Sequence, residues 1–409
     1  MIMGIILTFI FLTLLFQNYK RGVVIIAATI QMLSYLGTGI ASLKIQVLVE
    51  FVAIGLYLFY YKSDENRKQN KYPQELTIAS LFLILSFTLS EVFSRTTHHW
   101  SIIISNIGTY FIYPFILWKC LDSKRNVMIF LKALYWLMLF AMLFGLLELV
   151  LRSNYILEFI SNIFTIDDFI ADDKRVRFGL KRCNSFFSYF TTYGVACCFS
   201  FVAFFKMKYS YLIKKKYLTM LILMMPFCAF STGSRAIFLG LFVILLFMFT
   251  QKIFLVSKTF QIVLIVFFIL SPVILEISFQ VIDSIINSDT SKYSGGSSAS
   301  LRIMQWECCL PSFLDSPIIG NGRMFIWEEI KPNNSILLGA ESIWFSILVD
   351  FGILGALAFL NLIFCCCILL YRIDKRLVCV PLAYLLILSL SPDIGVQYNV
   401  LITYVVLLE

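Results

Sequence analysis

Apolar stretches of about 15 to 30 residues alternate with short polar clusters along the whole chain. Each stretch is close to the roughly 20 residues that a helix needs to cross about 30 Å of hydrocarbon. The spans fall at 2–17, 22–41, 45–61, 76–94, 101–118, 128–151, 184–205, 217–231, 236–250, 259–277, 342–371, 377–391 and 395–408. In lipid the backbone must satisfy its own hydrogen bonds, so helices or closed barrels are the only spanning structures. Barrel strands alternate apolar and polar residues at every second position, and these runs do not. The pattern predicts an all-α integral membrane protein, a polytopic bundle of about 12–13 transmembrane helices. The last two spans are short, and Ser391-Pro392-Asp393 between them has the composition of a re-entrant turn. The first run has no basic n-region and no small-residue cleavage site, so it is expected to be a span rather than a cleavable signal.

Lysine and arginine placement orients the bundle. One set of interhelical clusters holds Lys20-Arg21, Lys62 to Lys71, Lys119 to Arg125, Lys206 to Lys216, Lys252/Lys258 and Arg372 to Arg376, and is expected to be cytoplasmic. The opposite face then carries two long extracytoplasmic loops. The chain divides into N-terminal transmembrane helices (1–151), a basic extracytoplasmic loop (152–183), further helices (184–277), a large extracytoplasmic loop (278–341) and C-terminal helices (342–409). Those loops break the charge rule. Lys174, Arg175, Arg177, Lys181 and Arg182 crowd one of them, and Arg235, Arg302 and Arg323 fall on the same face. Arginine suits bidentate phosphate contacts, so the pattern points to an anionic ligand, with Asp167, Asp168, Asp172, Asp173 or lipid headgroups as the alternative partners.

Composition narrows the chemistry. Charged residues make up 14% of the chain, against roughly 25% in soluble domains, and apolar ones 60%. The net charge of +9 lies in interhelical clusters, and no zinc-finger, P-loop or dinucleotide pattern is present, so nucleic acid is not an expected partner. His98 and His99 are the only histidines, adjacent in sequence and poorly placed to chelate, so neither metal chemistry nor a His-based triad is expected. Most of the eleven cysteines lie inside apolar runs; Cys183, Cys308 and Cys309 fall in the outer loops, where a disulfide among them is one option. After the flexible Ser294-Gly295-Gly296-Ser297-Ser298 stretch, Ser300 is a fitting N-cap for a short helix on which Arg302 and Trp306 share a face. Pro317, Gly320, Asn321 and Gly322 then mark turns.

Ser231-Thr232-Gly233-Ser234-Arg235 sits between two apolar runs, and an arginine at that depth costs roughly 2.5–3.5 kcal/mol unless paired or hydrated. Ser234-Arg235 followed by Ala236 to Gly240 resembles the Ser-Arg helix signature of the O-antigen polymerase and O-antigen ligase superfamily. Arg302-Ile-Met-Gln-Trp306, Pro317-Ile-Ile-Gly320-Asn-Gly322, Glu341-Ser342-Ile-Trp344 and Asp350-Phe-Gly352-Ile-Leu-Gly355 are similar to its later elements. Upstream, Arg182, Ser185, Phe187 and Gly194 resemble the element before the preceding helix, with Arg177 and Arg182 both candidates for its arginine. The resemblance covers about residues 175–370 and implies a GT-C-like fold and a Wzy-type polymerase in the bacterial inner membrane. Such an enzyme transfers a growing O-antigen, capsule or exopolysaccharide chain from undecaprenyl pyrophosphate to a lipid-linked repeat unit, with membrane lipids and a chain-length regulator as partners. The donor is already activated, so no metal or cofactor is implied. Arg177 or Arg182, Arg235 and Arg302 would clamp the departing pyrophosphate, with Trp306 beside them, and Glu341 would be the base, ahead of Glu307 and Asp393. Glu50, Glu91, Glu148 and Glu276 are candidates to pair with the arginines. Ligase members carry a histidine near the position of Glu341 and Ser342; its absence favours polymerase over ligase. A lipid-linked oligosaccharide flippase is the rival of another class, against which no internal repeat is visible.

Overall fold

The computed structural model describes residues 2–33, 45–61, 72–95, 100–163, 176–177, 180–187, 189–207, 215–249, 299–334, 342–391 and 395–408. Helices dominate it: α1 (Ile2–Gln17), α2 (Tyr19–Leu33), α3 (Ile45–Leu56), α4 (Gln74–Val92), α5 (Trp100–Ile107), α6 (Tyr113–Cys120), α7 (Lys124–Leu151) and α8 (Tyr155–Ile163). A two-residue antiparallel hairpin follows, β1 (Val176–Arg177) with β2 (Leu180–Lys181). Then come α9 (Phe190–Met207), α10 (Lys215–Ser231), α11 (Arg235–Phe249), α12 (Ala299–Asp315), α13 (Ile343–Ile373), α14 (Cys379–Ser389) and α15 (Gly395–Leu408). Among the described residues three helices are long and apolar enough to cross a membrane: α4, α7 and α13. Six further apolar segments, including α9 to α11, are shorter. The span expected at 259–277 lies outside the described residues, as do Glu276 and the Pro392-Asp393 turn.

Helix ends follow local chemistry. Ser123 caps α7 by accepting from Asn126 N at 3.3 Å, and Ser342 caps α13 by accepting from Trp344 N at 3.3 Å. A π-helical turn at Gly108–Ile112 joins α5 to α6, and Glu50 lies against it: a Cβ on Gly108 would fall 2.5 Å from Glu50 Oε2. Glu50 is itself held by Gln46 Nε2 at 2.7 Å. α12 starts at Ala299, one residue earlier than expected, which puts Ser300 inside the first turn rather than at the cap.

Apolar side chains occupy both the inside and the outside of the molecule. Phe130, Tyr193, Phe359, Tyr384 and Tyr404 are fully buried, whereas Phe59 (85% exposed), Val150 (78%) and Phe9 (71%) face outward from the same helices or their neighbours. An apolar exterior removes most of the hydrophobic force between helices, so close packing through small residues takes over. Gly194 lets α9 approach α11, since a Cβ there would meet Ile237 at 2.7 Å; Gly240 does the same for α11 against Ile387 of α14. α4 packs along α13, and α12 docks on the start of α13.

Candidate active site

α10 ends in a tight reversal. Thr232 N bonds to Ala229 O (3.3 Å) and Gly233 N to Phe230 O (3.1 Å), and Gly233 takes a positive φ of 60°. Ser234 then opens α11, its carbonyl accepting from Phe238 N at 3.0 Å, while Phe230 stacks on Phe238. Arg235 is therefore the first residue of a helix whose leading N–H groups carry the positive end of the helix dipole. Arg182 comes to the same turn: its Nε donates to Thr232 O at 3.4 Å, and its guanidinium lies 3.4 Å above the Phe190 ring. Both arginines are half-buried. Two cations and a helix N-terminus at one reversal form an anion-attracting corner. Arg177 pairs with Leu180 in the hairpin that leads directly into Arg182.

A buried ion pair fixes the segment that carries Arg182. Lys181 Nζ lies 3.2 Å from Glu148 Oε1, with side-chain exposures of 5% and 2%. Glu148 Oε2 also accepts from Asn184 N (3.0 Å) and Ser185 N (2.8 Å), holding Ser185 in a left-handed conformation with φ 55°. Asn154 Nδ2 closes the loop on Ser185 O at 2.7 Å. Of the two alternatives for this cation, ligand or carboxylate, Lys181 takes the carboxylate and is neutralised inside the protein. Glu148 was a candidate partner for the arginines, and the structure gives it this lysine instead. Cys183 is a free thiol pushed up to about 12 by burial, and all eleven cysteines are free, so Cys183, Cys308 and Cys309 form no disulfide.

Arg302 and Trp306 stand on α12. Trp306 stacks on Phe345 of α13 (5.6 Å between ring centres) and contacts Phe313, while Cys309 packs with Ile326 and Val349. Beyond α12 the chain makes a turn that inserts into a break in α13 at Gly352, φ 65°. The free carbonyls above the break are met by Asn321 N on Val349 O and Gly322 N on Asp350 O, both at 3.0 Å. The free amides below it, Ile353 N and Leu354 N, donate to Pro317 O (2.8 Å) and Ile318 O (3.0 Å). Ser90 of α4 donates to Asp350 O, and the Asp350 carboxylate accepts from Met324 N at 3.1 Å. Glu91 accepts from Arg323 N at 3.2 Å, and Arg323 Nη1 donates to Asn106 at 3.1 Å. Asn321 Nδ2 reaches back to Ser312 O of α12 at 2.8 Å. The Pro-x-x-Gly-x-Gly and Asp-Phe-Gly-x-x-Gly elements are thus two halves of one lock.

Residues 218–360 match the family model described as O-antigen ligase. No curated protein matches the chain. The match supports the O-antigen polymerase and ligase superfamily over about a third of the chain, and three of the described helices are long and apolar enough to cross a membrane. It covers Arg235, Arg302, Trp306 and the whole lock, and it begins after Arg177 and Arg182. The structure joins Arg182 to the Arg235 turn; Arg302 and Trp306 stand on a separate element against α13. Glu307 is exposed on α12, while Glu341, His98, His99 and Asp393 lie outside the described residues. Among the described residues neither Glu50 nor Glu148 pairs with an arginine: a glutamine amide holds one and a lysine the other. Sequence reasoning took Asp350 only as part of a motif and gave its carboxylate no role, although a carboxylate inside an apolar run is a recognisable signal because such residues are costly unless paired.

Proposed function

We propose that this protein is a membrane-embedded glycan polymerase acting on undecaprenyl-pyrophosphate-linked repeat units at the extracytoplasmic face of the bacterial inner membrane. The observation that carries the reading is the corner where Arg182 meets the Thr232–Arg235 turn, at the edge of the matched stretch. In the reaction the acceptor hydroxyl oxygen attacks the anomeric carbon of the donor glycan as the bond to the pyrophosphate oxygen breaks. Negative charge builds on the departing diphosphate, and cationic groups held before the reaction lower its barrier. Arg182, Arg235 and Arg302 take that role, with Arg177 on the adjoining hairpin. Glu341 accepts the proton of the attacking hydroxyl.

Purified protein in nanodiscs, given a synthetic lipid-linked repeat unit, tests this reading. Elongation is expected, with loss of long products in Arg235→Ala and Arg302→Ala. Wild-type polymer from both variants would refute it. The matched family's description favours one rival, an O-antigen ligase, which moves the glycan to a different lipid acceptor. Lipid-linked products from cells lacking the protein separate the two: single repeat units mean a polymerase, long undecaprenyl-bound chains a ligase.

A further inference from the structure

Gln305, on α12, is fully buried, and among the described residues neither its amide nitrogen nor its amide oxygen has a hydrogen-bond partner. Methionine or leucine would fill the same space without stranding a donor and an acceptor, so a buried orphan amide is a standing cost to the fold. Such a cost persists where the polar group has a use. Its position indicates what the use is. α12 and α13 run side by side in the same direction, because Trp306 stacks on Phe345 and, one turn later, Cys309 packs with Val349. With Trp306 level with Phe345, Gln305, one residue earlier at 1.5 Å per residue, stands level with Trp344 in the first turn of α13, and Arg302, about one turn earlier on the same side of α12, stands level with the Ser342 cap.

An amide offers two donors and one acceptor and carries no charge. It is the complement of a neutral sugar, whereas Arg302, one turn earlier on the same helix, is the complement of phosphate. We infer that Gln305 reads a sugar ring of the lipid-linked glycan, hydrogen-bonding a donor and an acceptor held side by side, as in vicinal hydroxyls or an acetamido group. The inference deepens the polymerase reading and rests on it for the identity of the glycan. It adds a specificity-determining residue that touches the sugar rather than the leaving group.

The test compares the parent protein with Gln305→Met and Gln305→Leu, each checked for fold by thermal unfolding. Two ligands are titrated: a synthetic undecaprenyl-pyrophosphate-linked repeat unit, and undecaprenyl pyrophosphate without sugar. Both variants are expected to be at least as heat-stable as the parent. Their affinity for the glycan-bearing lipid should fall roughly tenfold, with a matching rise in KM and little change in kcat, while undecaprenyl pyrophosphate binds as before. Glycan affinity within twofold of the parent in a folded variant would overturn the assignment, and so would equal weakening toward both ligands. If the parent binds glycan through Gln305 but never elongates it, the polymerase reading fails and this one stands.

Discussion

Gly352→Ala is the sharpest perturbation of the lock. A Cβ at this position would lie 2.5 Å from the Ile318 carbonyl carbon and 2.7 Å from Gly320 N, and all of these are backbone atoms that no rotamer can move aside. Alanine also has to hold φ 65° and ψ −167°, a region essentially reserved for glycine, at a cost of about 1–3 kcal/mol. Relieving the clash pushes the turn out of the break and releases Ile353 N from Pro317 O and Leu354 N from Ile318 O, each worth about 0.5–1.5 kcal/mol net. The sum is about 2–6 kcal/mol, enough to lower the thermal midpoint of the detergent-purified protein by at least ~3 °C. Gly55→Ala is the control: nothing lies within 4 Å of a Cβ there, and alanine in a helix gains about 0.5–1 kcal/mol over glycine. Elongation should fall in Gly352→Ala and hold in Gly55→Ala. Equal midpoints for the two variants would refute the wedge argument.

Other outcomes follow from the same contacts. Glu148→Leu strands the Lys181 ammonium and two amides and should destabilise by about 3–5 kcal/mol, whereas Lys181→Met, which leaves Glu148 its two amide donors, should cost less; thermal unfolding ranks them. Arg182→Lys keeps the charge but loses the planar contact with Phe190 and the Nε bond to Thr232, so undecaprenyl pyrophosphate affinity should drop several-fold by titration. Burial holds the Cys309 thiol up at about 12, so maleimide at pH 7 should spare it while labelling the less buried Cys308, as peptide mass spectrometry would show. Impermeant reagents applied to intact cells should reach cysteines placed at 175 or 302; labelling only after permeabilisation would put the arginines on the wrong face for the proposed reaction.

Much of the helical pattern was legible because membrane-length apolar runs are the strongest signal a sequence carries. The expected span at 76–94 corresponds to α4 and that at 128–151 to α7, which is extended by the Ser123 cap. The stretch 152–183 was read as loop, yet it holds α8 and a hairpin, since nine-residue and two-residue elements leave too short a period to detect. The break in α13 was invisible for a different reason. Residues 342–371 read as one apolar span whose Asp350 does not by itself signal a break, and the pairing of Gly352 with a turn some thirty residues earlier opens it. Arginine was legible as a residue type out of place, but not the sorting of cations. Lys181 and Arg182 are neighbours in sequence, and opposite side-chain directions send one to Glu148 and the other to Thr232.

The lock explains why short, individually weak motifs recur together in one chain. A helix of membrane-crossing length that breaks at Gly352 exposes two carbonyls and two amides, and in an apolar setting each would cost several kcal/mol if left unmet. The turn at 317–322 meets all four, so the break cannot exist without the turn. Gly320 and Gly322, at φ 84° and 100°, are the residues that let the turn pass so close, because a Cβ on Gly320 would sit 2.5 Å from the Asp350 carbonyl carbon and one on Gly322 would sit 2.6 Å from Ser94 Cβ. The same turn is tied to α12 through Asn321 and Ser312. Arg302, Gln305 and Trp306 are thereby tied to α13 through the Asn321 amide and the backbone bonds of the turn, as well as by side-chain packing. A site that must be charged before its substrate arrives needs such a mount, since a guanidinium free to swing would spend part of the binding energy on being ordered. In the proposed reading the glycines give the mount its rigidity and Arg302 gives it its charge, so a change at Gly320, Gly322 or Gly352 should reach the ligand through α12.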